Sequence, residues 1–196
     1  TYSQAGAFTI NTDRLTLILE DGVVIYNELA SCFVVNADYT YILGASKAGA
    51  KCRPGWSGSL LSGAHPGIYA LEAIHNFVLD GIEIDGSGLQ SSSGVYLNSG
   101  GSDIQILNNY IHDLSFDGVM SPAISNYGDI TGVADVQGNL FLRTSGVEEI
   151  SDSIINAAYN SWGAYAVTNA MVDPAVLEKV TFAPWTHVEL FLASSG

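Results

Sequence analysis

The sequence predicts an all-β chain wound as a parallel β-helix, and three observations predict it. Short apolar segments recur at offsets of 24 to 30 residues, the period of a solenoid. Within each segment the apolar residues alternate with polar ones, which is the periodicity of a strand. Between segments lie Gly, Asn, Asp and Ser, the residues of tight turns, and the 196 residues include 21 glycines to supply them.

The repeat is clearest in the middle of the chain. Residues 76–84 read NFVLDGIEI, 103–111 read DIQILNNYI and 136–141 read VQGNLF. Aligned, Phe77 meets Ile104, Leu79 meets Ile106 and Ile84 meets Ile111; Ile106, Asn109 and Ile111 then meet Val136, Asn139 and Phe141. Phe77, Leu79, Ile82 and Ile84 should face inward, with Val78 and Glu83 outward. Gly-Val pairs at 94–95, 118–119 and 146–147 punctuate the coils. Asn109 and Asn139 share one corner. There they are either left-handed turn residues whose amides bond a stacked neighbour or ordinary turn asparagines. Ile82 holds that corner one coil earlier and keeps any ladder short. Leucine-rich repeats are excluded, because no leucine recurs at fixed short spacing.

The N-terminal third follows the same grammar. Leu15, Leu17 and Leu19 alternate with Thr16, Ile18 and Glu20 before a turn at Asp21-Gly22, and strands are predicted at 7–10, 32–35 and 39–44. Residues 51–67, with two prolines, four glycines and Trp56, are expected to leave the helix body as a loop. Toward the C-terminus, Asp173-Pro174 should cap a short helix ending near Lys179. The strand-like pieces VTFAPW and HVELFLA follow. One domain therefore spans 1–196, with about six coils over residues 10–165 and a helical and strand cap over 166–196.

Asn160-Ser161-Trp162-Gly163, Pro184-Trp185 and the I-x-x-N-x-I repeats give the chain a resemblance to secreted proteins of the pectate-lyase-like superfamily. That resemblance covers roughly residues 10–185 and implies a right-handed helix. It says little about activity, since such proteins include lyases, hydrolases, adhesins and surface-layer parts. The polygalacturonase-type Asp-Asp and Gly-His-Gly signatures are missing, and so is the epimerase Asp-Pro-His.

Charge narrows the partners. Twenty acids against six bases give a formal charge of −14, which repels nucleic acid and anionic membranes. Polyanionic polysaccharides are disfavoured unless bound cations reverse the local field. No apolar run reaches the roughly 20 residues of a membrane helix, so no membrane insertion is expected. Abundant Ser, Thr, Asn and Gly with few Lys point to an extracellular or cell-surface setting.

Cys32 and Cys52 lie about one coil apart. They are either a disulfide, worth roughly 3 kcal/mol through the unfolded chain, or two buried thiols of a reducing compartment. Carboxylates that could serve a glycosidase are Asp80, Glu83, Asp85, Asp113, Asp117 and Asp135. The best constellation is Asp85 with His112 one coil later, flanked by Asp113 and Asp117. It reads as an acid–base pair, as a weak calcium site built from Asp80, Asp85 and Asp113, or as surface polarity. Lys47, Lys51 and Arg53 cluster either to serve a substrate or, the favoured reading, as a solvated loop. Trp56 is the aromatic candidate for carbohydrate binding, while Tyr96 and Tyr110 sit in strands and are expected either to pack in the core or to stack across coils. Val188, Leu190 and Leu192 alternate in a terminal strand that either closes its own helix or adds to a neighbouring copy's edge. Taken together, the residues predict a non-enzymatic secreted structural or adhesive protein that self-associates into a homopolymer. The competing expectation is a polysaccharide lyase, a glycoside hydrolase or a carbohydrate-binding module.

Overall fold

A computed structural model describes residues 2–3, 6–27, 30–54, 65–151, 153–163 and 180–181. These form a parallel β-solenoid in which each coil contributes a strand to each of three faces. The first coil holds β1 (Tyr2–Ser3), β2 (Phe8–Ile10) and β3 (Thr16–Leu19). The second holds β4 (Val24–Asn27), β5 (Phe33–Val35) and β6 (Tyr41–Gly44), and the third β7 (Ala50–Pro54), β8 (Ile68–Ala70) and β9 (Ile74–Asp80). The fourth holds β10 (Ile82–Asp85), β11 (Val95–Leu97) and β12 (Gly101–Leu107). The fifth opens with β13 (Tyr110–His112), extrudes an antiparallel hairpin of β14 (Ser115–Phe116) and β15 (Val119–Met120), and resumes with β16 (Ile124–Asn126), β17 (Ile130–Thr131) and β18 (Val133–Gln137). The sixth holds β19 (Leu140–Leu142), β20 (Val147–Glu149) and β21 (Ile154–Asn156), and β22 (Val180–Thr181) pairs beyond β21.

The first face stacks β1-β4-β7-β10-β13-β19 and the second β2-β5-β8-β11-β16-β20; the third runs from β3 to β22. From the first to the sixth strand the chain makes about five turns. The registers read from the apolar pattern hold: Leu79 lies beside Ile106, Ile84 beside Ile111, and Ile111 beside Phe141. These side chains are buried and fill the interior. Each buried aliphatic or aromatic side chain contributes about 1.5–3 kcal/mol.

The expected loop is corrected at its start. Residues 50–54 are strand β7, paired on one side with β4 and on the other with β10. Alternation explains this: Ala50, Cys52 and Pro54 point inward and Lys51 and Arg53 outward. The prolines and glycines of the following residues masked the pattern. Trp56, the helix at 174–179, Pro184-Trp185 and the terminal strand with Val188, Leu190 and Leu192 lie outside the described residues. Among the described residues, no helix is long and apolar enough to cross a membrane.

Cys32 and Cys52 are bonded, with Cα atoms 6.1 Å apart. The link crosses the interior rather than running up one face. Cys32 immediately precedes β5, while Cys52 sits on β7 between Ile25 and Ile84.

Asparagines form a buried ladder between the third and first faces. Asn109 donates its N–H to Asn139 Oδ1 at 2.8 Å, and Asn139 donates its own to Asn160 Oδ1 at 2.8 Å. At the other end the Ile82 N–H reaches Asn109 Oδ1 at 2.9 Å, so the ladder stops where the corner residue becomes apolar. The left-handed residue is the one before each corner residue: Gly81 before Ile82, and Asn108, Gly138 and Tyr159 before the three rungs, all with positive φ. Asn160-x-Trp-Gly now has a physical reading. Asn160 is the third rung and Trp162 packs edge-on against Phe141 with centroids 5.1 Å apart. Gly163 has φ of 63°, and a Cβ there would meet the Phe141 carbonyl at 2.8 Å.

Candidate functional site

The outward face of the first sheet carries the densest charge cluster among the described residues. Alternation along β7, β10 and β13 sends Lys51, Arg53, Glu83, Asp85, Tyr110 and His112 out of the core. Register then lays them in two rows. Lys51 is beside Glu83, which is beside Tyr110, and Asp85 is beside His112. Left-handed turns just after β13 and β19 bring Asp113 and Arg143 together at the rim.

Every carboxylate in this cluster has a cation. Lys51 Nζ lies 2.8 Å from Glu83 Oε1 and 3.2 Å from Asp85 Oδ2, and Arg53 Nε lies 3.5 Å from Asp85 Oδ2. Arg143 grips Asp113 with both Nε and a terminal nitrogen. His112 is held from both sides: Nε2 is 3.0 Å from Glu83 Oε1 and Nδ1 is 2.7 Å from Asp113 Oδ2. Two carboxylates can accept from one imidazole only when both nitrogens carry protons. Ser87 completes the set, donating its N–H to Asp85 and its hydroxyl to Asp113. The rings of Tyr110 and His112 stack at 4.1 Å, and the Arg53 guanidinium lies over Tyr26.

The titration behaviour follows from this geometry. Burial pushes the His112 imidazole down, but hydrogen bonds to Glu83 and Asp113 and the field of Asp85 outweigh it, so its pKa is raised. Burial likewise disfavours the charged Glu83 and Asp85, yet both end lowered: Glu83 by His112 and Lys51, Asp85 by Ser87, Lys51 and His112. The Arg143 guanidinium holds Asp113 far below the usual carboxylate range. Lys51, opposed by burial, is raised by Glu83 and Asp85.

The pairing of Asp85 with His112 is therefore present as the repeat implied, and Asp113 joins it. Asp117 does not. It sits in the β14–β15 hairpin, where its N–H donates to Gln90. Asp80 accepts from Asn108 at the corner beyond the third face, and Asp135 accepts from Gln137 and Asn156. Sequence reasoning set aside Lys51 and Arg53 as loop residues, and it listed Glu83 without seeing its place in the cluster. The alternation of Ala50, Cys52 and Pro54 was the signal that could have found the two bases.

As a metal centre, Glu83, Asp85 and His112 bring one ligand atom each within 4.8 Å of one another. Imidazole with two carboxylates suits a transition ion better than calcium, which takes oxygen ligands. Lys51 already bridges both carboxylates, so an incoming cation must first displace an ammonium group. As a glycosidase pair, Glu83 and Asp85 lack the protonated partner with raised pKa that the reaction needs, because both are lowered.

The second face carries aromatic side chains. Tyr69 and Tyr96 are neighbours on β8 and β11, half-buried and pointing outward. Tyr127, just after β16, stacks on Tyr96 with centroids 4.9 Å apart, while Tyr69 stands at 85° to Tyr96. Of the two arrangements expected for Tyr96, core packing or a cross-coil stack, the structure shows the cross-coil stack, on the outer surface.

No protein-family model matches this chain, and no curated protein or solved structure matches it either. The parallel solenoid stands on its own geometry, without a superfamily assignment.

Proposed function

We propose that this chain is a non-enzymatic structural or adhesive solenoid of an extracellular or cell-surface setting, of the pectate-lyase-like kind. One observation carries the reading: the acid–base cluster of the first face is closed on itself. Each carboxylate has a lowered pKa and is bound by Lys51, Arg53, Arg143 or His112, so none of them is placed as the neutral carboxylic acid a glycosidase uses. Cross-strand pairs of opposite charge on parallel coils tie four consecutive coils together from outside. The Cys32–Cys52 bond supports an oxidising compartment.

The same reading includes self-association. The edge of the first coil exposes Phe8, Leu15 and Ile18, and Phe8 and Ile18 line a mainly apolar cavity of about 310 Å³ with Leu17, Leu19, Val23, Ile25, Phe33 and one acid, Glu20. Another copy adding a parallel coil there would make a head-to-tail contact that grows rather than closes. Two measurements test the proposal. Incubation with a panel of neutral and uronate polysaccharides should release no reducing ends or unsaturated products, and turnover abolished by His112→Gln would overturn the non-enzymatic reading. Light scattering at micromolar concentration should show assembly that Ile18→Lys prevents; a strictly monomeric chain would remove the homopolymer.

A further inference from the structure

The geometry points to a binding site for a neutral oligosaccharide in a trough along the second face. It uses no residue of the charge cluster and goes beyond the structural role proposed above.

Two cavities form the trough. One, of about 270 Å³, is lined by His65, Pro66, Tyr69, Ser92 and Tyr96. The other, of about 460 Å³, shares Ser92, continues to Glu148, and has the β14–β15 hairpin as its wall. Their residues come from the third to the sixth coil, three coil spacings or about 14 Å along the axis. That matches a short linear chain laid parallel to the stack.

The lining chooses the ligand. Phe116, Val119 and Met120 of the hairpin are exposed, Val119 at 70% and Met120 at 57%, although solvated hairpins are ordinarily polar. On the same face Tyr96 and Tyr127 stack on each other, each covering one ring face of its partner. Tyr69 meets Tyr96 in a T-shaped contact and lines the first cavity together with Pro66, which offers a ligand an aromatic ring and a proline to pack on. Polar groups are few and spaced along the trough: the Ser92 and Ser121 hydroxyls, His65, Asp117 and Glu148. Burial lowers the His65 pKa, which keeps the ring neutral at physiological pH. Among the described residues, neither cavity is lined by Lys or Arg, and both carboxylates repel anions. A ligand with apolar faces, a rim of hydroxyls and no negative charge fits this pattern. Such a ligand is a neutral glycan, and a uronate chain is rejected.

Isothermal titration of the whole chain with cellohexaose, xylohexaose, mannohexaose and chitohexaose, against hexagalacturonate, tests the site. At least one neutral hexasaccharide should bind with a Kd below about 1 mM, and hexagalacturonate should not. Tyr69→Ala should weaken binding at least about tenfold and Tyr69→Phe by less than about threefold. The Tm of Tyr69→Phe should stay within about 2 °C of the parent. Absence of binding by all four neutral sugars overturns the proposal, as does preference for hexagalacturonate or equal loss in both variants. Concentration-dependent association abolished by Tyr69→Ala would also overturn it, by assigning the trough to a second copy of the chain.

Discussion

Replacing Asn139 with alanine should be among the most damaging single changes in this protein. Its side chain is 2% exposed and serves both neighbouring rungs. Oδ1 accepts from the Asn109 N–H at 2.8 Å and from Asn109 Nδ2 at 3.0 Å, while Nδ2 donates to the Ile106 carbonyl at 2.8 Å and to Asn160 Oδ1 at 3.0 Å. Truncation strands the buried Asn109 N–H, at about 1–3 kcal/mol. Asn109 Nδ2 keeps the Leu79 carbonyl and Asn160 Oδ1 keeps the Asn139 N–H, so the other losses are partial, about 0.5–1.5 kcal/mol each. The total is about 3 kcal/mol, or about 6–12 °C in Tm for a chain of this size. Urea unfolding followed by circular dichroism measures it. A double-mutant cycle with Asn109→Ala should show coupling of about 1 kcal/mol or more, since the residues share bonds. A loss below about 1 kcal/mol, or strict additivity, would refute the ladder as a source of stability.

Reducing the Cys32–Cys52 link should cost about 3 kcal/mol for its 20-residue separation, read as a lower urea midpoint in reductant; mass spectrometry of unreduced protein should find no free thiols. Stability should also follow the charge cluster. The raised His112 contributes fully below its ordinary 6.5 and loses that contribution as pH climbs through the raised value, whereas the lowered Glu83, Asp85 and Asp113 lose theirs as pH falls below about 4. Urea midpoints should therefore plateau near pH 5–6.5, and His112→Gln should flatten the alkaline limb; an unchanged limb would show that His112 is not charged in the fold. Millimolar Ca²⁺ or Zn²⁺ should leave the Tm of the parent unchanged, while Zn²⁺ should raise that of Lys51→Ala, because removing the ammonium frees Glu83 and Asp85 for His112 to complete a ligand set. A rise in the parent with either ion would show that a cation displaces Lys51.

Much of the solenoid was legible because like stacks on like at nearly constant offset. Ile82 and Asn109 are 27 residues apart and Asn109 and Asn139 are 30 apart, so the inward residues of the fourth, fifth and sixth coils align in the sequence. That alignment also paired Asp85 with His112 correctly. It failed one coil earlier, where Lys51 meets Asp85 across 34 residues and the inserted segment after Pro54 breaks the period. Asn160 was read as part of a terminal motif and not as a rung, since its offset from Asn139 is only 21.

By itself, then, the sequence determined the strand period, the inward set and a charge balance hostile to polyanions, and it placed Cys32 and Cys52 about one coil apart without deciding whether they bond. Those are properties of local alternation and composition, which survive without knowing what lies above or below a coil. Tertiary structure alone decided that Lys51, Arg53 and Arg143 neutralise Glu83, Asp85 and Asp113. It also decided that Tyr69, Tyr96 and Tyr127 share one outer face. Contacts between coils depend on the length of every intervening turn, and the free energy of an ion pair or ring stack depends on angstrom-scale separation. A few extra residues in one turn leave the hydrophobic pattern intact and shift every outward neighbour.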